Sequence, residues 1–120
     1  MTAVRENTLF TAVGAMRIAC PKLTLRQAIL FLYVCENEGL SLHELAFVSR
    51  VGDATTSRGV KMLSTEDPEL MPAPLLRVRP HPGDKRVILI SLTKHGEALK
   101  AEIAKAIGRR RTVALTAAAA

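Results

Sequence analysis

Tryptophan is absent from this 120-residue chain, tyrosine occurs once and phenylalanine three times. Proteins that hold single-stranded nucleic acid, or read RNA on an open sheet, stack bases on exposed rings. So few rings argue against both modes. Cysteine is scarce as well. Cys20 and Cys35 lack metal-type spacing, and a reducing compartment keeps such thiols free. Cys20, in the segment just before Pro21, is the better candidate for a redox role, whereas Cys35 falls within an apolar helix and reads as packed. His43, His81 and His95 lie far apart without paired acidic or cysteine ligands, so no metal site is expected. Nucleophile elbow, phosphate loop and paired carboxylates are all missing, which argues against an enzyme and leaves no cofactor to expect. No apolar run nears the ~20 residues of a membrane span. The opening MTAVRENTLF also lacks the basic-then-apolar order of a secretion signal. The expected location is the cytoplasm, with the nucleoid if the partner is DNA.

What is present is ordinary globular composition with a positive balance. Hydrophobic residues make up 48% and charged residues 23%, enough for one core and one domain. Lysine and arginine outnumber the acids 17 to 11, for a net charge of +6, which favours a polyanionic partner. The cations are unevenly spread. Arg77, Arg79, Lys85 and Arg86 gather in one stretch and Arg109, Arg110 and Arg111 in another, while Glu66, Asp67 and Glu69 stand apart.

Periodicity divides the chain into helices and one extended pair. Residues 6–18 form a helix with Leu9, Val13 and Met16 on one side, widened by Phe10 and Ile18, and Pro21 ends it. Thr24 caps a second helix from Leu25 to about Glu38, apolar nearly all round and so expected to be buried on several sides. Ser41 and Glu44 form a capping box for a short third helix. After a break at 49–52, a fourth helix runs from Asp53 or Ala54 to Leu63. It sets Thr56, Val60 and Leu63 on one side and Ala54, Ser57, Arg58 and Lys61 on the other. A short helix, a tight turn and a helix with a small, polar and basic outer face make the helix-turn-helix pattern. Prolines 68, 72 and 74 then forbid a helix. Residues 75–79 and 87–92 read as strands around the turn formers Pro80 to Asp84. Thr93 caps a last helix, Lys94 to Ile107, with Leu99, Ile103 and Ile107 at four-residue steps. The expected fold is therefore α+β, a winged helix-turn-helix.

Asp84-Lys85-Arg86, followed at fixed distance by Leu92-Thr93 and Gly96, resembles the Asp-x-Arg…Leu-Thr-x-x-Gly wing signature of the MarR-type winged-helix DNA-binding regulators. The resemblance includes the short members carried by phages and other mobile elements. Glu44-Leu45-Ala46, Ala54-Thr55-Thr56-Ser57-Arg58, Val60 and Leu63 match that family's helix-turn-helix without a gap. The likeness spans residues ~24 to ~103. It departs at Arg50, where the family usually has the glycine of the turn, at Ser49, an apolar position, and at Gly59, where a larger residue is usual.

The resemblance implies sequence-specific binding of double-stranded DNA and transcriptional regulation, most simply repression by occlusion. Ala54, Thr55, Ser57, Arg58 and Lys61 would lie at the major groove. Arg79, Asp84, Lys85 and Arg86 would form the wing, Asp84 orienting Arg86. The expected unit is a single domain, 1–111, a homodimer through the terminal helices 6–18 and 94–107, with 112–120 a flexible tail. Other readings stay open at this stage: a member switched by a ligand or thiol, a replication or recombination accessory of a mobile element, or a winged-helix module that binds an acidic protein. Neither the operator nor any small-molecule effector is legible.

Overall fold

Asn7 opens the first helix, α1 (Thr8–Ala19), by accepting a hydrogen bond from the Phe10 N–H at 2.8 Å. It is also the first residue described by the computed structural model, which covers residues 7–108. The expected start at Glu6, the cations Arg109–Arg111 and the 112–120 tail lie outside the described residues.

Two capping boxes set the next two helices. Thr24 Oγ1 accepts from the Gln27 N–H at 3.1 Å while Gln27 Oε1 accepts from the Thr24 N–H at 3.0 Å, and α2 (Leu25–Glu36) follows. Ser41 and Glu44 repeat the exchange at 3.0 and 2.9 Å ahead of α3 (Leu42–Ser49). α2 stops two residues before the expected Glu38, because the Asn37 side chain donates to the Tyr33 carbonyl and Gly39 turns the chain at φ +92°. Its expected burial on several sides holds for one side only. Leu30, Phe31 and Val34 are fully buried, but Leu25 is 80% exposed.

Between α3 and α4 (Asp53–Leu63) the chain reverses at Arg50, which adopts the left-handed conformation at φ 59°. A side chain there costs roughly 1–2 kcal/mol relative to glycine. The turn is thus the one expected, built with an unexpected residue. Ser49 suits its half-buried position because its Oγ accepts the Val51 N–H at 3.4 Å.

The extended segment is longer than its sequence indicated. β1 (Leu76–His81) and β2 (Asp84–Leu92) pair antiparallel from Leu76↔Leu92 to Pro80↔Ile88, and the turn shrinks to Pro82 and Gly83. Pro80 and His81 belong to β1 rather than to the turn. β1 lies at the sheet edge, where the missing proline N–H costs no ladder bond. On the other side of β2 a one-residue bridge, Ser41↔Leu89, ties the start of α3 to the sheet. Gly39 N–H donates to the Ile90 carbonyl at 2.8 Å, and Ile90 N–H donates to Leu40 at 2.9 Å. This third short rung has no periodicity and escaped the sequence reading.

Thr93 then starts α5 (Lys94–Gly108). Its Oγ1 donates to the Pro74 carbonyl at 2.6 Å and accepts from the Gly96 N–H at 3.0 Å. A Cβ on Gly96 would lie 2.1 Å from the Leu75 carbonyl oxygen, so only glycine allows this approach. The Leu-Thr-x-x-Gly motif is a joint between the wing and the last helix. α5 packs along α1, and Met16, Leu99 and Ile103 are buried.

Candidate nucleic-acid interface

α4 is locked on its inner side. Thr56, Val60 and Leu63 are buried, and Thr56 Oγ1 donates to the Val51 carbonyl at 3.2 Å. Gly59 is buried as well, and a Cβ there would come 2.6 Å from Leu30 Cδ1. The departure at Gly59 therefore lets α2 press closely on α4. With that side fixed, the opposite side faces outward. Ala54, Ser57, Arg58 and Lys61 are exposed and Thr55 is half-buried. Arg58 Nη2 donates to Thr55 Oγ1 at 3.3 Å, which leans the guanidinium back along the helix.

The wing presents its cations by breaking its own ladder. Pairing jumps from Pro80↔Ile88 to His81↔Asp84, so Lys85, Arg86 and Val87 have no partner on β1. A bulge of this kind bends the strand and re-aims its side chains. Lys85 and Arg86 are exposed, and so is Arg79 on the facing strand. Asp84 holds Arg86 from three directions. Its Oδ1 accepts from the Arg86 backbone N–H at 3.0 Å and from Nε at 3.1 Å, and its Oδ2 accepts from Nη2 at 3.3 Å. The Arg86 side chain, with help from its backbone N–H, keeps the Asp84 carboxyl below the usual carboxylate range. At neutral pH the pair is charged on both sides.

The wing and the starts of α3 and α4 border one groove. Ser41, Leu42 and His43 from the start of α3, Asp53 from the start of α4, and Arg86, Val87 and Ile88 from β2 line an open cleft of about 410 Å³. His43 Nδ1 and Asp53 Oδ1 stand 3.8 Å apart in it. Of the sequence-predicted residues only Arg86 lines this cleft; Ala54, Ser57, Arg58 and Lys61 are exposed on α4, and Arg79 and Lys85 are exposed on the wing. His43 and Asp53 were not foreseen, since nothing in the sequence distinguishes them from solvated surface residues.

Cys20 does not belong to this region. It caps the C-terminal end of α1 and is only 2% exposed, so the redox reading, which rested on an open loop thiol, finds no support in its placement. Cys35 is buried too, and burial pushes its thiol up to about 12 despite the nearby Lys100. Such a thiol is inert. Among the described residues no group of histidine, cysteine, aspartate or glutamate is arranged to hold a metal ion. No helix among them is long and apolar enough to cross a membrane.

The fold is that of the MarR-type winged-helix transcriptional regulators. The chain is similar to the transcriptional regulator Tm0710 from Thermotoga maritima, at 18% identity over 83% of this chain and 64% of that one, with a TM-score of 0.67. It is also similar to a mutant MarR from E. coli complexed with operator DNA, at 22% identity over 73% of this chain and 58% of that one, with a TM-score of 0.59. A third is BpsR from Bordetella bronchiseptica, whose DNA binding is regulated by 6-hydroxynicotinic acid. It is 24% identical over 82% of this chain and 67% of that one, with a TM-score of 0.58. At these identities the likeness establishes the fold, and the chain spans about two thirds or less of those proteins' length. No family model matches the sequence. No curated protein matches it either.

Proposed function

We propose that this protein binds double-stranded DNA in a sequence-specific manner and acts as a transcriptional regulator, a repressor working by occlusion. The observation that carries the reading is that two elements bearing exposed cations, α4 and the wing, border one cleft. α4 is fixed by buried Thr56, Val60 and Leu63 so that Ser57, Arg58 and Lys61 face out, and the wing's Arg86 lines the same cleft as the first residue of α4. Arg58 can bond bidentately to a guanine edge, and the small residues Ala54 and Ser57 let the helix backbone come close. Arg86, Lys85 and Arg79 suit phosphates or the narrow minor groove beside it. The fold's occurrence in a MarR crystallised with operator DNA supports the same reading.

The acting unit in this proposal is a homodimer. α1 carries Leu9, Phe10, Val13 and Ile18 at 48–78% exposure and α5 carries Ile107 at 60%. The test is selection of bound fragments from random duplex DNA, followed by titration of the recovered site in rising salt. Enrichment of a palindrome, with log K falling by roughly 0.9 per log unit of salt for each phosphate contacted, is expected. A flat salt response or equal affinity for single strands overturns the reading.

A further inference from the structure

Arg50 is the one non-glycine residue with positive φ among the described residues, at 59°. Nothing in its surroundings requires an arginine there. Its side chain is exposed and takes part in no ion pair or side-chain hydrogen bond among the described residues, so neither folding nor packing accounts for it. Glycine would adopt the same backbone conformation without strain, and asparagine with little. A strained residue whose side chain contributes nothing to the fold directs attention to function.

Its position supplies that function. Arg50 caps α3 and stands two residues before Gly52, the N-cap of α4, so its exposed side chain leaves the chain at the turn just ahead of α4. The carboxylate nearest in sequence, Asp53, stands beside His43 at 3.8 Å rather than beside Arg50. On the far side of the Asp53–His43 cleft lies Arg86 of the wing. Arg50 thus precedes α4 in the chain, while Arg86 lines the cleft that Asp53, the first residue of α4, also lines.

We propose that Arg50 is a DNA-backbone contact, its guanidinium neutralising a phosphate on the rim of the groove that α4 enters. The inference rests on the DNA-binding reading above and assigns a residue to it. Because phosphate contacts carry no base information, the contact strengthens binding to all duplexes alike.

The experiment compares the wild type with R50G, R50A and R50K on one mixed-sequence duplex long enough for two half-sites. Melting temperature is measured in parallel. R50G removes both charge and strain, R50A removes the charge and keeps the strain, and R50K keeps a charge without the fork. Expected are a higher melting temperature for R50G alone, and for both R50G and R50A an affinity lower by about five- to tenfold near 0.1 M salt. The slope of log K against log salt should fall by ~0.9 in each, the loss of one counterion released. R50K should recover most of the affinity. A steep wild-type slope that R50G and R50A leave unchanged overturns the Arg50 contact while leaving the DNA reading standing. A wild type without salt-dependent duplex binding overturns both.

Discussion

Asp84 grips Arg86 with both carboxylate oxygens, at 3.1 Å from Nε and 3.3 Å from Nη2, across a bulge whose residues have no partner strand. The Arg86 side chain is 91% exposed, so the pair adds little to folding. What it does is hold a long cation in one orientation before any ligand arrives, and a bidentate carboxylate is the geometry suited to that. Arg86→Ala and Asp84→Ala should both weaken duplex binding with the melting temperature nearly unchanged, Arg86→Ala the more strongly. The double variant should be little worse than Arg86→Ala, since Asp84 acts through Arg86. If Asp84→Ala tightens binding, as simple removal of a negative charge would, the orienting role is wrong. Because the Asp84 carboxyl titrates below the usual range, this contribution persists through neutral pH and fades only as pH falls through that lowered value.

Arg58 and Lys61 share the outer side of α4 but differ in what they can read. Arg58→Ala should cost about 1–3 kcal/mol on the selected site and relax base choice at one position, whereas Lys61→Ala should weaken selected and random duplexes alike. Equal loss on both duplexes for Arg58→Ala would reduce it to a backbone contact.

The two-helix core of this site was legible because its signals are local. Ser41 and Glu44 declare a helix start, and the spacing of Thr56, Val60 and Leu63 declares which side of α4 is buried. The wing was legible as a pair of strands, but not its bulge, because pairing register depends on which residues of two strands meet. The bridge from Ser41 to Leu89 was hidden for the same reason. Gly59 looked like a defect in a recognition helix, and its cause lies in another element, Leu30 of α2, invisible to any window along α4.

That contact makes the two interior glycines differ. A methyl at Gly96 meets the Leu75 carbonyl oxygen at 2.1 Å, a backbone atom held by the Thr93 joint. Gly96→Ala should cost roughly 3 kcal/mol or more. At Gly59 the atom met is the flexible end of Leu30, and alanine restores up to about 1 kcal/mol of helix propensity. Gly59→Ala should therefore be close to neutral in thermal melts. A neutral Gly96→Ala would refute the joint.

Where α2 ends and α5 begins, two carboxyls meet. Glu38 Oε2 accepts the Leu92 N–H at 3.2 Å, and a hydrogen bond with Glu38 is the main cause that raises the Glu97 carboxyl above its ordinary value, opposed by Lys100. A raised carboxyl pKa means that the folded state binds this proton more tightly than the unfolded chain. Its stabilisation is present below the ordinary glutamate value and is lost as pH rises through the raised one. Glu97→Gln keeps the donor and removes the second charge. It should raise the melting temperature at neutral pH and change it little in acid. The opposite pattern would show that Glu38 does not raise the Glu97 carboxyl.

The outer side of α1 is apolar and exposed. Pairing of α1 with α5 already buries Met16, Leu99 and Ile103, three of the six residues on the apolar stripes of these two helices. Leu9, Val13 and Ile107 stay 65%, 48% and 60% exposed. Phe10 and Ile18 line an open groove of about 740 Å³ with Leu99 of α5 and Leu75 at the base of the wing. Exposed apolar residues on two neighbouring helices are commonly covered by two-fold pairing with a second copy. Val13→Glu should then give a monomer by light scattering at micromolar concentration. Because Val13 is outside the core, the variant should keep its helical content, so loss of pairing is separable from unfolding. The monomer should bind a palindromic site much more weakly, while its contact with a single half-site survives. The half-sites should lie about one helical turn apart, since two recognition helices on one face of the duplex require that spacing. A wild type that is monomeric at micromolar concentration and selects a non-palindromic site would refute the dimer, leaving α4 and the wing to act as a single unit.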